Sequence, residues 1–571
     1  MHGLYVALHL LACSAGDDRA TLVVDVEHEF GGLVLRVPEV RLEDIRHIAH
    51  EVHRVVVDDR HPRHVGLGYG EDLLRRLGLL DLDGCGCRHT AHAATTGGCS
   101  HKRGPVTWGP PRNAPGNRQI DEMGVRSVVM NTADLGLPVD VPSTALFTDH
   151  YELTMLQAAL KAGTAERRSV FEVFTRRLPE GRRYGVVAGT GRVLDAVENF
   201  RFDPDVLGFL RERSIVNAET LDWLAGYRFG GDVWGYREGE VYFPGSPIMR
   251  VEGSFAECVL LETVILSILN HDSAIAAAAS RMSSAAGERP LIEMGARRTH
   301  ELAAVAASRA AYIGGFASTS DLAAGFRYGI PTVGTSAHAF TLLHDRERDA
   351  FQAQVDSLGR NTTLLVDTYD VAEAVRTAVE IAGPELGAVR IDSGDLLLVA
   401  HRVRQQLDAL GAADTRIIVT SDLDEYAIAS LAAAPVDAYG VGTQLVTGSG
   451  HPTCSMVYKL VARAESADPT APLVPVAKKS TGGKTSIGGR KWAARRPDEH
   501  GVAEAEVVGT GPLPEELKDH QLLVPLIKDG RVLSREPLDV VRDRHAAARA
   551  KLPLSATQLS RGEPVIPTEY A

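Results

Sequence analysis

Downstream of about Asn361 the chain alternates short apolar runs with polar clusters and amphipathic stretches, four times in succession. Residues 363–366 lead into Asp367-Thr-Tyr-Asp370 and a helix over 371–382, and residues 389–391 lead into Asp392-Ser-Gly-Asp395 and a helix over 397–410. Residues 417–419 lead into Thr420-Ser421-Asp422-Leu-Asp424 and a helix ending near Leu431, and residues 438–441 lead into Gly442-Thr443. Strand and helix at a spacing of roughly 25 residues predict parallel strands joined by crossover helices. Ser421 followed by Asp424 reads as a capping box.

The plan extends upstream with less regularity. Residues 291–294 precede Gly295-Ala-Arg297-Arg298, residues 312–316 precede Ala317-Ser-Thr-Ser320, and Thr332-Val333 precedes Gly334-Thr-Ser-Ala-His338. About seven βα units result, and their polar residues gather after each strand, where an α/β barrel assembles its site. A doubly wound open sheet is the structural alternative.

Composition divides the chain. Residues 1–129 hold eleven of the 21 histidines, four of the six cysteines and one lysine, Lys102. Residues 104–119, with Pro105, Pro110, Pro111 and Pro115, read as an irregular linker. Residues 22–26 and 33–37 predict short strands. Cys85, Cys87, His89 and Cys99 supply soft ligands, but C-x-C-x-H is not a usual zinc spacing, so biased composition is the simpler reading. The first 16 residues lack a basic start, and His9 interrupts their apolar run, so export is not expected. Residues 1–129 therefore read as an extension, poorly ordered or upstream of the true start.

Over the whole chain, 61 Lys+Arg against 74 Asp+Glu argue against nucleic acid or an anionic membrane as a bulk partner. Six cysteines in 571 residues make no disulfide framework, which points to the cytoplasm. The strand-end residues suit a phosphorylated substrate. Turn amides at Gly442-Thr443 can cradle phosphate. Arg297, Arg298 and Arg390 can clamp carboxylate or phosphate, and Asp392 with Asp395 can accept ribose hydroxyls or hold hydrated Mg²⁺. Aspartate at a helix start is commonly just a cap, and that reading applies to Asp370, Asp395 and Asp424. Gly483-Lys484-Thr485 is not a P-loop, because the required upstream glycine is Lys478; the 478–496 stretch reads as a basic loop.

Seven segments in register resemble nicotinate phosphoribosyltransferase: Thr148-Asp-His-Tyr151-Glu-Leu-Thr-Met155, Leu291-Ile-Glu-Met-Gly-Ala-Arg-Arg298, Gly314-Gly-Phe-Ala-Ser-Thr-Ser-Asp321, Gly334-Thr-Ser-Ala-His-Ala-Phe340, Val389-Arg-Ile-Asp-Ser-Gly-Asp395, Thr420-Ser-Asp-Leu-Asp424 and Gly440-Val-Gly-Thr443. The resemblance implies an irregular seven-stranded α/β barrel with an additional α/β domain built from both ends of the homologous region. Its divisions would be 130–255, the N-terminal α/β domain; 256–455, the barrel; and 456–571, a segment packing back on the first. It implies transfer of phosphoribosyl from phosphoribosyl pyrophosphate to nicotinate, with Mg²⁺ and with ATP as co-substrate, in a homodimer that shares its site.

Carried over by motif, His338 is the phosphorylated histidine and Asp367 the carboxylate that orients it. Tyr151 stacks on nicotinate from the second subunit, opposite Met294, where relatives often carry Phe. Arg297 and Arg390 hold the pyridine, its carboxylate or phosphate, and Thr335 contacts the base. Asp392, Ser421 and Asp422 line the ribose-phosphate path, and Gly442 and Thr443 hold the 5′-phosphate. Phe174 and Arg176 fit a core strand and a surface as well as a site. Ser320 stands where nicotinamide enzymes place an acid, which favours the acid substrate, although Asp321 is adjacent. Nicotinamide or quinolinate phosphoribosyl transfer is the alternative activity. An inactive barrel carrying an N-terminal metal module is the non-enzymatic one.

Overall fold

A computed structural model describes residues 143–479 and 486–571, together with the backbone of strands Tyr5–Leu11, Arg19–Glu27 and Leu33–Arg41. The chain divides into two compact units, Met1–Arg126 and Ser127–Ala571. In the first, the three strands form an antiparallel sheet in sequence order, with Val6 opposite Val26 and Leu22 opposite Val37. The apolar runs at 22–26 and 33–37 lie within its second and third strands. The Cys/His cluster and the Pro/Gly passage lie outside the described residues.

In the second unit a seven-stranded sheet draws strands from both ends of the unit. Its order is Leu473–Pro475, Met456–Ala464, Arg168–Thr175, Met249–Ser254, Asp232–Tyr236, Leu523–Lys528 and Arg531–Val532. Every pairing in it is antiparallel. Arg168–Thr175 is an interior strand buried on both faces, so its apolar residues run nearly continuously instead of alternating. Phe171 stacks on Tyr458 of the neighbouring strand at 4.8 Å between ring centroids.

The chain leaves this sheet through Ser254, which forms a capping box with Glu257, and enters the long helix Glu262–Ala286. The stretch Phe255–Ala286 is long and apolar enough to cross a bilayer, but 67% of its most apolar window is buried within the protein. Its small residues, Ala274 and Ala276 to Ala279, let the helix pack closely against neighbours in the core.

The second sheet of this unit is parallel and curled. Its order is Ser318–Thr319, Leu291–Glu293, Ala438–Val441, Arg416–Val419, Ala388–Ile391 and Thr363–Leu365. The register aligns Thr319 with Glu293, Glu293 with Val441, Val419 with Ile391 and Leu365 with Arg390, so the strands end at a common edge. Four strand-helix units match the downstream reading to within a residue or two. Upstream, residues 312–316 are not a strand. They are the end of helix Glu301–Ile313 and its Gly314-Gly315 exit, and the strand is the two-residue Ser318–Thr319. The alanine-rich run from Ala303 to Ala311 has high helix propensity, and the glycine pair ends it. Thr332 contributes an isolated parallel bridge to Thr319, in place of a named seventh strand.

Candidate active site

The shared edge fixes which residues follow each strand: Ser320, Met294, Gly442, Thr420, Asp392 and, one residue further on, Asp367. Helix starts then divide the acids into two kinds. Asp370 accepts from the Glu373 amide at 2.8 Å, Asp395 from Leu398 at 3.2 Å, and Asp424 from Ala427 at 2.7 Å. All three therefore act as caps. The predicted Ser421–Asp424 box is displaced, because the helix begins at Glu425 with Asp424 itself as its cap. Ser421 sits at φ +143°, a backbone conformation costly for a residue with a Cβ.

Of the acids outside the caps, Asp392 approaches His338. Its Nδ1 lies 3.1 Å from the Thr368 hydroxyl, and its Nε2 lies 3.9 Å from Asp392 Oδ2. Asp367, expected to hold the imidazole, instead accepts from the Asp392 amide at 3.0 Å and the Ser393 hydroxyl at 2.6 Å. It thus joins the two strand-end loops, and the residue beside it in sequence, Thr368, reaches the ring. The other Asp367 oxygen, Oδ1, is buried without a hydrogen-bond partner. Asp392 Oδ1 is hydrogen-bonded by the Thr420 hydroxyl.

Arg390 completes the cluster. Its Nη2 donates to the Ser336 carbonyl at 2.9 Å, while its Nε is buried and unpartnered. Burial lowers its pKa, the charges of Asp392 and Asp367 oppose that, and nearby Arg297 adds to it. Arg297, Ser320, Thr335, Ser421 and Asp422 are exposed beside the edge. Glu347, which carried no sequence signal, also faces the cluster. Burial, aided by Asp367, Asp370 and Glu373, pushes its carboxyl up to about 7.

The Met294 end of the edge is shaped by close backbone approach. A Cβ on Gly440 would stand 2.6 Å from Met294 Sδ, and one on Gly295 would stand 2.2 Å from Val446 Cγ1. Glycine at both positions lets the Met294 loop lie against the Gly442-Thr443 turn. Ser320 and Asp321 are distinguished by their surroundings: Ser320 is exposed, while Asp321 is buried and its carboxylate accepts from the Ala324 amide at 3.0 Å, capping helix Leu322–Tyr328.

Tyr151 is not part of this constellation. It lies on helix His150–Lys161, 43% exposed, and burial with the charges of Glu262, Glu152 and Asp149 pushes its hydroxyl up to about 12. Phe174 and Arg176 line a separate cavity of about 270 Å³ with Glu172, Lys491 and Tyr570. There the Arg176 guanidinium lies 5.7 Å from the Phe174 ring centroid.

The family model described as nicotinate phosphoribosyltransferase (NAPRTase) N-terminal domain matches residues 146–270. The chain is 55% identical over 443 residues to nicotinate phosphoribosyltransferase pncB1 of Mycobacterium tuberculosis, covering 76% of this chain and 96% of that relative. It belongs to the nicotinate phosphoribosyltransferase family. Against the nicotinate phosphoribosyltransferase of Bacillus subtilis it is 38% identical over 333 residues, 57% of this chain and 68% of that one. The crystal structure of human nicotinic acid phosphoribosyltransferase superposes with a TM-score of 0.64 at 25% identity, over 74% of this chain and 97% of that one.

Proposed function

We propose that the chain forms nicotinate mononucleotide and pyrophosphate from nicotinate and phosphoribosyl pyrophosphate, in cytoplasmic NAD salvage, with ATP hydrolysis coupled through His338. The observation that carries this reading is the His338–Asp392–Arg390–Asp367 cluster, in which a nucleophile and a cation share one strand edge while Asp367 Oδ1 and Arg390 Nε are buried without partners. Such groups favour a ligand that supplies the missing hydrogen bonds.

In this reading a His338 ring nitrogen attacks the γ-phosphoryl group of ATP. An N–P bond forms as the bond to ADP breaks, Thr368 holds the ring, and water later cleaves the N–P bond to release inorganic phosphate and free the imidazole. Phosphoribosyl transfer follows through an oxocarbenium-like state: the bond to nicotinate forms as the bond to pyrophosphate breaks. The side chains mainly position the reactants and stabilise charge on the leaving group. Arg390 and Arg297 bind the carboxylate of the base or phosphate, Thr335 the base, and Asp392, Ser421 and Asp422 the ribose-phosphate path. The Gly442-Thr443 turn receives the 5′-phosphate. Asp392 and Asp367 are the two carboxylates that would hold Mg²⁺ carried on pyrophosphate, where the ion would neutralise departing charge; Asp395 is turned toward its own helix start. Among the described residues no group of three or more such ligands forms a closed cage.

Nicotinate is favoured over nicotinamide because Asp321 is engaged as a helix cap, leaving neutral Ser320 toward the base. The curled sheet is read as part of the irregular seven-stranded barrel, with Thr332 at the seventh position and the antiparallel sheet as the additional domain. Tyr151 is read as reaching the site of a second copy, in a homodimer. The test is nucleotide formation from phosphoribosyl pyrophosphate with nicotinate, nicotinamide and quinolinate, each with and without ATP. ATP-stimulated product from nicotinate alone is expected; preference for another base would overturn the reading.

A further inference from the structure

Glu293, the last residue of strand Leu291–Glu293, is 1% exposed, so burying its carboxylate is costly unless its oxygens are hydrogen-bonded. They are. Oε1 accepts from the Gly295 amide, and Oε2 accepts from the Ser308 hydroxyl at 3.0 Å and the Thr319 hydroxyl at 2.5 Å. The Glu293 carbonyl accepts from the Ser320 amide at 2.8 Å. The Thr319 hydroxyl, donating to Glu293, in turn accepts from the Asp321 amide at 2.9 Å. One buried side chain therefore ties down both the turn that leads to Arg297 and the turn that presents Ser320.

The geometry has a consequence for specificity. The Ser320-Asp321 turn sets a neutral and an acidic residue side by side, and a one-residue slip would exchange which one faces the base. The Glu293–Thr319–Asp321 amide chain holds Asp321 where its carboxylate caps helix Leu322–Tyr328. We propose that Glu293, acting through Thr319, is a positioning residue for base selection: it keeps Ser320 toward the pyridine carboxylate and Asp321 away from it, and holds the Arg297 turn in register with them. The inference rests on the reading of Ser320 as the residue facing the base.

The test uses the full chain and steady-state kinetics with nicotinate, nicotinamide and phosphoribosyl pyrophosphate. Thr319→Val removes the hydroxyl and keeps the side-chain volume. It is expected to raise the nicotinate KM at least tenfold, with kcat within about threefold and the phosphoribosyl pyrophosphate KM unchanged, and to narrow the preference for nicotinate over nicotinamide. Thr319→Ser, which retains the hydroxyl, restores wild-type values, and Glu293→Gln falls between. Ser320→Asp separates the two layers of the argument. If it leaves base preference unchanged, the Ser320 reading fails and the inference falls with it. If it shifts preference while folded Thr319→Val keeps its nicotinate KM within twofold, the positioning role alone is overturned. Equal rises in both substrates' KM would likewise overturn it, as the mark of a general structural defect.

Discussion

Two regions of the second unit, the surroundings of the antiparallel strands and the strand-end edge of the parallel sheet, treat charge differently. Away from the parallel sheet's strand ends, buried charges meet their counterions: Lys491 lies 2.6 Å from Glu172, Arg495 bridges Glu240 and Glu506 at 2.6 and 2.7 Å, and Arg309, on helix Glu301–Ile313, clasps Glu238 at 2.6 and 2.8 Å. At the edge of the parallel sheet, His338 has only a distant carboxylate, and Asp367 and Arg390 each keep a buried atom without a partner. In the first arrangement a counterion within hydrogen-bond distance offsets the desolvation cost of each ion; in the second a ligand can offset part of that cost. A buried atom without a partner does not by itself mark the binding edge, since Arg495 Nε has none either; a close counterion is what separates the two groups.

Breaking each side should produce different failures. The largest effect is expected at His338. His338→Ala should abolish stimulation by ATP while leaving slow transfer without it, read as the ratio of initial rates with and without ATP; undiminished coupling in this variant would remove His338 from its assigned role. On the opposite side, Glu238→Ala strands the buried Arg309 guanidinium and uncaps the Gly189 and Gly191 amides. Breaking such a pair costs about 3–5 kcal/mol. A lower thermal midpoint with an unaltered nicotinate KM is expected, and calorimetry beside kinetics checks both halves.

A pH effect comes next. His545 is buried, with Nδ1 at the Gly239 carbonyl and Nε2 at the Ser280 hydroxyl. Burial, reinforced by Arg549, lowers its pKa from 6.5 to about 4. The unfolded chain therefore binds the proton first, so this contribution to stability is intact above pH 6.5 and declines as pH falls toward 4. The loss is on the order of 3 kcal/mol over that range. His545→Gln should flatten that part of the profile of thermal midpoint against pH. The smallest effect is expected at Met294. Exchanging a thioether contact for an aromatic one changes stacking by about a few tenths of a kcal/mol, so Met294→Phe should lower the nicotinate KM by about twofold.

The downstream half of the site was legible because strand, cap and helix follow one another locally there, and motif residues fall directly after strand ends. Three features were not. The strand at Ser318–Thr319 is too short to leave a periodic signal, and the alanine-rich helix before it mimics an apolar strand. Asp367 and Thr368 are adjacent, and only the rotation of the loop decides which one meets the imidazole. Glu293 and Glu347 owe their character to burial by residues distant in sequence, which no local pattern encodes. The antiparallel sheet was hardest to derive, because its neighbours Phe171 and Tyr458 lie far apart in the chain.

The central claim, that the unpartnered groups at the parallel edge await this ligand, is tested most directly by a crystal structure with nicotinate mononucleotide bound. The pyridine should lie beside Met294 and Ser320, with its carboxylate toward Arg297 or Arg390 and its 5′-phosphate on the Gly442-Thr443 turn. A nucleotide bound among the paired charges of the antiparallel sheet, with the His338 edge empty, would contradict it.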